Sequence, residues 1–408
     1  MKIVIMAWRN LLRQKRRTLI TLSALIVGLC GVVVFQGYIT SLMRNFRDST
    51  IRSGIGHLQI AQAPGYYQDG EFNPYAYALA NADSLQAGLK AMPEVHAVFP
   101  STGFTSIAGE GDKSVTLLVK GYPAERMYFS SSSRRETPPA DRFELGALVE
   151  GSAPAPQEHD RLVLGETAAR ILGAKPGSVV TLMAVLPNGG LNGRDFTVSG
   201  IYHSPGRDKI FAFTDYDTAV DFTGITAPPV LHVLARSVNA AGGVESRLPR
   251  GLAVRTWHDL ATYYVQVNTM FSGFLSVIRA IILLVTLFIM ANTMNRIVRE
   301  RMREWGTLRA MGTKKGQILL VVVLEGCFQG IVGAAIGIVI GFGVSALINA
   351  AGGVPFTAGG QRVAVRLIID AGSVWWNVIP AALFAAAASF LPGLRAVRLS
   401  PSQCLRQL

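Results

Sequence analysis

The chain has 408 residues, half of them hydrophobic and only 16% charged, with a mean hydropathy of +0.34. Ordinary soluble domains carry about 25% charged residues, so the composition argues against a fully soluble enzyme. The formal charge of +13 would suit a nucleic-acid binder, but the distribution of that charge along the chain points elsewhere.

Residues 1–17 place Ile3, Met6, Ala7, Asn10 and Leu11 near one helical face, with Trp8 at its edge and Arg9, Arg13, Arg16 and Arg17 opposite. This pattern suits a helix lying in the cytoplasmic membrane interface, or a plain basic flank. Residues 18–39 carry no charge, and about 20 apolar residues span a bilayer core. The stretch exceeds a signal-peptide core of roughly 7–15 residues and meets no A-x-A-like site before Met43-Arg44. It predicts a retained first span over 18–43.

Residues 44–266 read as an extracytoplasmic mixed α/β domain. Strands are predicted at 56–60, 95–100, 114–119, 178–183, 196–201, 210–213 and 230–235. Helices are predicted at 83–92, with Asp83 or Ser84 as N-cap, and at 166–172. The Ser- and Pro-rich stretches 130–139 and 152–157 are loops and a candidate subdomain boundary. A second span is predicted at 267–295 with one charge, Arg279, then a cytoplasmic helix at 296–317. A third span follows at 318–350 with one charge, Glu325. An outer loop at 351–372, a fourth span at 373–394 and a cytoplasmic tail at 395–408 complete a 1+3 arrangement.

Six basic residues precede the first span, seven lie between the second and third, and three follow the fourth, with only Glu300 and Glu304 as acids among them. The rest of the chain is close to neutral. Basic residues flanking spans mark the cytoplasmic side, so both termini are expected in the cytoplasm. The excess charge is a topology signal, and nucleic acid is not an expected partner.

No pair of histidines has metal-ligand spacing, His57 and His232 sit in strand patterns that suit packing, and no G-x-S-x-G or P-loop pattern occurs. No catalytic residue, metal site or cofactor is expected on this chain. The three cysteines, Cys30, Cys327 and Cys404, provide no disulfide framework for the outer domain.

The strongest local signal is residues 292–312. It reads as the end of a span passing into a charged amphipathic helix closed by Gly312. Trp305, Leu308 and Met311 form an apolar edge at helical spacing, suited to docking into a groove of a cytoplasmic partner. Asn292, Thr293, Val298, Glu300, Arg301, Glu304, Gly306, Leu308, Ala310 and Gly312 closely resemble the pattern of the FtsX/MacB/LolCE-like superfamily of ABC transporter permeases, the mechanotransmission type. The resemblance extends to residues 7–18, to Val163-Leu164-Gly165-Glu166 with Leu172-Gly173 and Gly177, to residues 196–201 and to Trp257.

The resemblance implies a non-catalytic permease subunit in the bacterial inner membrane, paired with a second copy or a paralogue. Its outer domain would be of the MacB periplasmic core type. ATP and Mg2+ would sit on a separate ABC ATPase, contacted through Arg299, Glu300, Arg301, Arg303, Glu304, Trp305, Gly306, Leu308, Arg309 and Gly312. The domain size and residues 56–60 are most similar to the lipoprotein-releasing branch, with efflux or envelope remodelling as the alternative and a sensor or scaffold as the reading from another class. Met43, Phe46, Met270, Phe271 and Phe274, flexible or aromatic side chains where spans leave the membrane, suit contact with an acyl chain of the cargo, a lipoprotein for example, and equally match an ordinary interfacial belt. Gly326, Gly330, Gly333, Gly337 and Gly341 form small faces for helix packing, and Glu325 is expected to bond a neighbouring helix.

Overall fold

The computed structural model describes residues 15–398 except 71, 132–138, 157, 187–188, 205, 359–360 and 370. Most of the predicted interfacial helix over 1–17, and the tail beyond 398, lie outside the described residues. The chain divides into two compact units, one ending at Arg44 and resuming at Val267, the other spanning Asn45–Gln266.

The uncharged run folds as part of α1 (Lys15–Thr50), which continues past it without a break. Beyond α1 the backbone leaves helical geometry at Ser53 and at Gly54, whose φ of 108° favours glycine. The α/β unit follows: β1 (Leu58–Ala61), α2 (Ala82–Lys90), β2 (Val95–Glu110), β3 (Lys113–Tyr122), β4 (Met127–Ser131), β5 (Phe143–Gly151), β6 (Arg161–Gly165), α3 (Glu166–Leu172), β7 (Val179–Val185), β8 (Leu191–His203), β9 (Phe211–Asp215), α4 (Tyr216–Thr223), β10 (Val230–Ala235), α5 (Val238–Glu245) and β11 (Ala253–Thr256).

All eleven strands share one sheet, in the order β11-β1-β10-β2-β3-β9-β6-β8-β5-β4, with β7 bridging β2 and β8. Those pairings close β2, β3, β9, β6, β8 and β7 into a ring. Strand β7 shows why: Val180, Leu182 and Ala184 alternate inward while Val179, Thr181, Met183 and Val185 face out, the period-2 pattern of a half-buried strand. The inward set joins Phe104, Phe196 and Phe222 in one core. Strand β10 is buried along its whole length, with five apolar residues and His232, because it lies between β1 and β2 and is covered by α2 and α5.

The stretches 130–139 and 152–157 do not separate two subdomains. The 16-residue β2 pairs with β10 through Val95–Ser101 and with β3 through Thr102–Glu110, so one strand runs through both halves. Helix α2 begins at Ala82, with the N-cap at Asn81 in the left-handed region (φ 55°), rather than at Asp83 or Ser84.

His232 is a packing histidine. Its Nε2 lies 2.7 Å from Ser101 Oγ and its Nδ1 3.1 Å from Ile55 O. His57 accepts from the Ala235 N–H at Nδ1, 3.2 Å away, and burial pulls its pKa down to about 4, with Asp48 opposing and Arg47 and Arg52 reinforcing the shift. An unfolded histidine takes up a proton near pH 6.5, so between pH 6.5 and about 4 the unfolded state binds more protons. Stability is therefore expected to fall as pH drops through that window. Thermal midpoints of the full chain from pH 7.5 to 4 check this; His57→Gln should flatten the slope.

In the membrane unit, α6 (Thr262–Glu300), α7 (Met302–Ala310), α8 (Lys315–Ala350) and α9 (Ala371–Arg398) follow. Together with α1 they provide four helices long and apolar enough to cross a membrane. The predicted loop 351–372 contains a hairpin, β12 (Val354–Ala358) with β13 (Gln361–Val365). Glycines set the helix spacing. A Cβ on Gly330 would stand 2.7 Å from Ala385 Cβ, and one on Gly337 3.0 Å from Ile26 O. Thus Gly326 and Gly330 face α9, while Gly333, Gly337 and Gly341 face α1. Arg279 donates to Gln36 Oε1, which also accepts from Asn377 Nδ2 at 3.4 Å, so side chains of α1, α6 and α9 meet there.

Candidate functional site

The segment between the second and third spans is an elbow. Helix α6 ends at Glu300, the backbone kinks at Arg301 (φ −100°, ψ 9°), and α7 runs from Met302 to Ala310. Its C-terminus closes with Thr313 N–H donating to Leu308 O (3.1 Å) and Gly312 N–H to Arg309 O (3.0 Å). That is the Schellman pairing, and Gly312, at φ 94°, takes its left-handed position. Gln317 Oε1 then accepts from Lys314 N–H at 3.1 Å as α8 begins.

The helix is fastened from beneath. Trp305 is 1% exposed, packed among Val298, Met302, Ile318, Val321, Val322 and Val397. These residues come from α6, α7, α8 and α9. The guanidinium of Arg301 lies 4.7 Å from the centre of the Trp305 ring, a cation–π distance. Its Nε donates to Glu304 Oε2 at 2.8 Å, and its Nη1 lies 3.5 Å from Glu325 Oε2. The Arg301 and Glu325 side chains are 10% and 5% exposed. Arg309 Nη1 reaches Val397 O at 3.5 Å.

This geometry corrects the predicted docking edge. Trp305 faces inward and Leu308 is partly buried, so of the three edge residues Met311 alone is fully exposed. The physical reason is that a nine-residue helix cannot hold itself in water and needs an apolar anchor on its neighbours. The ten predicted coupling residues divide accordingly. Arg299, Glu300, Arg303, Glu304 and Gly312 are exposed, Arg301, Trp305 and Gly306 are buried, and Leu308 and Arg309 are intermediate. The outward stripe also contains Thr307 and Met311, the latter 75% exposed. Glu325 belongs to the inner group as the α8 end of the clasp. Its signal in the sequence was a lone acid in an apolar run, which marks a buried partner without identifying it.

The predicted cargo residues differ in exposure. Met43 is buried. Phe46 packs against the rings of Tyr263 and Tyr264, centroids 5.9 and 5.5 Å away. Met270 and Phe274 are exposed on α6, and Phe271 is intermediate.

One cluster has no trace in sequence spacing. Glu166, His203 and Asp208 come together from three segments. His203 Nδ1 lies 2.9 Å from Glu166 Oε2 and 3.4 Å from Asp208 Oδ2. The ring nitrogen nearest the carboxylates is thus engaged by them, and the group serves as a polar fastening at the start of α3.

The FtsX-like permease C-terminal model matches residues 276–401, and the MacB-like periplasmic core domain model matches residues 18–250. An uncharacterized ABC transporter permease of Bacillus subtilis, YknZ, is 29% identical over 42% of this chain and 40% of its own length. The macrolide export ATP-binding/permease protein MacB of Burkholderia lata is 25% identical over 98% of this chain but 56% of its own length. The Bacillus subtilis permease YvrN is 22% identical over 98% of both chains. The chain therefore spans about half the length of the first two relatives and nearly all of the third.

Proposed function

The chain belongs to the family built from a MacB-like periplasmic core domain and an FtsX-like permease C-terminal region, and we propose that it is the membrane subunit of an ABC transporter driven through α7. The observation that carries the reading is the two-sided elbow. Its inner face is clamped to α8 and α9 by Trp305, Arg301 and Glu325, and its outer face offers Arg299, Arg303, Thr307 and Met311. A motor protein that grips the outer face moves a helix already locked to the spans. ATP and Mg2+ then sit on that ATPase, the chain itself contributes no catalytic group, and a second copy or paralogue completes the permease. Basic flanks orient the elbow and both termini to the cytoplasm of the inner membrane, with the α/β unit in the periplasm.

For cargo, the names of similar proteins, macrolide export and pyoverdine export, favour efflux through the envelope. Lipoprotein release is the second reading, motivated by the likeness of residues 56–60 and the domain size to that branch.

Arg303→Glu with Met311→Asp is expected to detach the ATPase during mild-detergent purification while leaving the thermal midpoint of the chain within a degree or two, since exposed substitutions typically change stability by under ~0.5 kcal/mol. Undiminished ATPase recovery would refute the docking face. Mass spectrometry of the intact complex then separates the cargo readings: a periplasmic adaptor supports efflux, and a triacylated protein supports lipoprotein release.

A further inference from the structure

The α/β unit holds a cavity of about 590 Å³ whose wall collects positive charge. Arg47 and Arg52 line it from α1 and the turn after it, and Arg236 from just beyond β10; Asp48 is the one acid lining it among the described residues. The domain around it is close to neutral, so three guanidinium groups against one carboxylate is a local concentration. Two of these groups are held in place by defined contacts. Arg47 Nη2 pairs with Asp48 Oδ1 at 2.8 Å, and Arg236 Nε donates to Pro93 O at 2.8 Å, which leaves the Nη groups of Arg236 as further donors. Arg52 also acts on Glu144, whose pKa burial raises and Arg52 lowers.

The same wall includes Val238 and Asn239, the first residues of α5. Their N–H groups precede the first intrahelical bond, and Ser237 Oγ accepts from Ala240 N–H rather than from them. His57, with Nδ1 accepting from Ala235, has its proton on Nε2 and adds a neutral donor. Three arginines and the first turn of a helix lining one space match an anion with three or more acceptor oxygens better than a two-oxygen carboxylate.

We propose that this cavity binds a phosphate group, either the phosphodiester of a lipid headgroup or a free phosphate anion. The helix supports the lipid source: Arg47 follows Met43, the last residue before the first charge, by four residues, about 6 Å of rise. The headgroup layer on each side of a bilayer is about 5–8 Å thick. The inference goes beyond the transport reading and does not depend on which cargo is moved.

The test uses the full chain in uncharged detergent, titrated with phosphatidylglycerol, with diacylglycerol of the same chains, or with inorganic phosphate. Bound lipid is counted by native mass spectrometry and protection by thermal midpoint. Phosphatidylglycerol should be retained over diacylglycerol. Arg52→Gln with Arg236→Gln should weaken retention about tenfold or more, the size of one lost charge-assisted hydrogen bond. Asp48→Asn should strengthen it, a gain that misfolding cannot mimic. Equal protection by inorganic phosphate, lost in the same arginine variant, assigns a free anion; protection by lipid alone assigns the headgroup. Retention that neither the arginine variant nor Asp48→Asn alters, or no preference for phosphate-bearing ligands, overturns the proposal.

Discussion

Arg301→Met and Glu325→Leu, made singly, are both expected to destabilise the membrane unit, Arg301→Met by up to about 3–5 kcal/mol and Glu325→Leu by less because Arg301 keeps its bond to Glu304, whereas the double variant recovers most of the loss. Each single change leaves a charge in surroundings that exclude water, since the two side chains are only 10% and 5% exposed. Removing both charges restores an apolar packing problem that methionine and leucine can solve. Unfolding of the four chains in detergent gives the coupling energy directly. Additive losses, or silent single variants, would mean that the pair does not fasten the elbow. The double variant also tests mechanics: if packing alone locks α7 to α8, it should retain ATP-driven activity in the assembled transporter.

Trp305→Ala is expected to cost about 3–5 kcal/mol, the range for emptying a buried aromatic site, and to expose the amides of α7 to hydrogen exchange. Loss of ATPase binding would follow from this collapse. Met311→Asp, on the same helix, should leave exchange unchanged and affect only partner binding. The contrast between the two positions is the measurement. If Trp305→Ala left exchange and stability untouched while abolishing ATPase binding, the tryptophan would be a partner contact and the inward packing would be wrong.

Much of the architecture is visible in the residues themselves. The four apolar runs are long enough to leave one fold class, and strands such as β10 declare themselves through a dense apolar sequence that only His232 interrupts. Helix α3, bounded by Gly165 and Gly173, matches its predicted limits residue for residue. The misses have a common physical source. Strands β4, β6 and β11 are short, and they and the longer β5 depend for their identity on their partners; β6, for example, is fixed by β8 and β9 on either side. The elbow illustrates the same limit. A tryptophan, a leucine and a methionine at helical spacing define an apolar edge, but spacing does not say whether that edge meets another protein or the chain's own spans. Trp305 and Met311 lie within one predicted edge and end on opposite sides of this question. The cation that settles it, Arg301, is one arginine among many until Glu325, 24 residues later, is placed beside it.

The chain enters the α/β unit from α1 and leaves it to α6, and the strands next to those two connections, its tethers, are neighbours. β1 and β11 pair antiparallel, with Leu58 opposite Thr256 and Ala61 opposite Ala253. The residues nearest α1 and α6 are therefore the same rung of the ladder. Forces that spread the two helices would load this rung first and then the next, opening the pair like a zipper, the weakest way to load a hydrogen-bonded ladder. Pulling both helices the same way loads no rung preferentially. The fork is reinforced at its crotch, where Trp257 N–H donates to His57 O at 3.0 Å and its indole is buried with Ile51. Two tethers joined this way tolerate tugging and tilting far better than prying, so a motor acting through α7, as proposed above, would have to keep them in step.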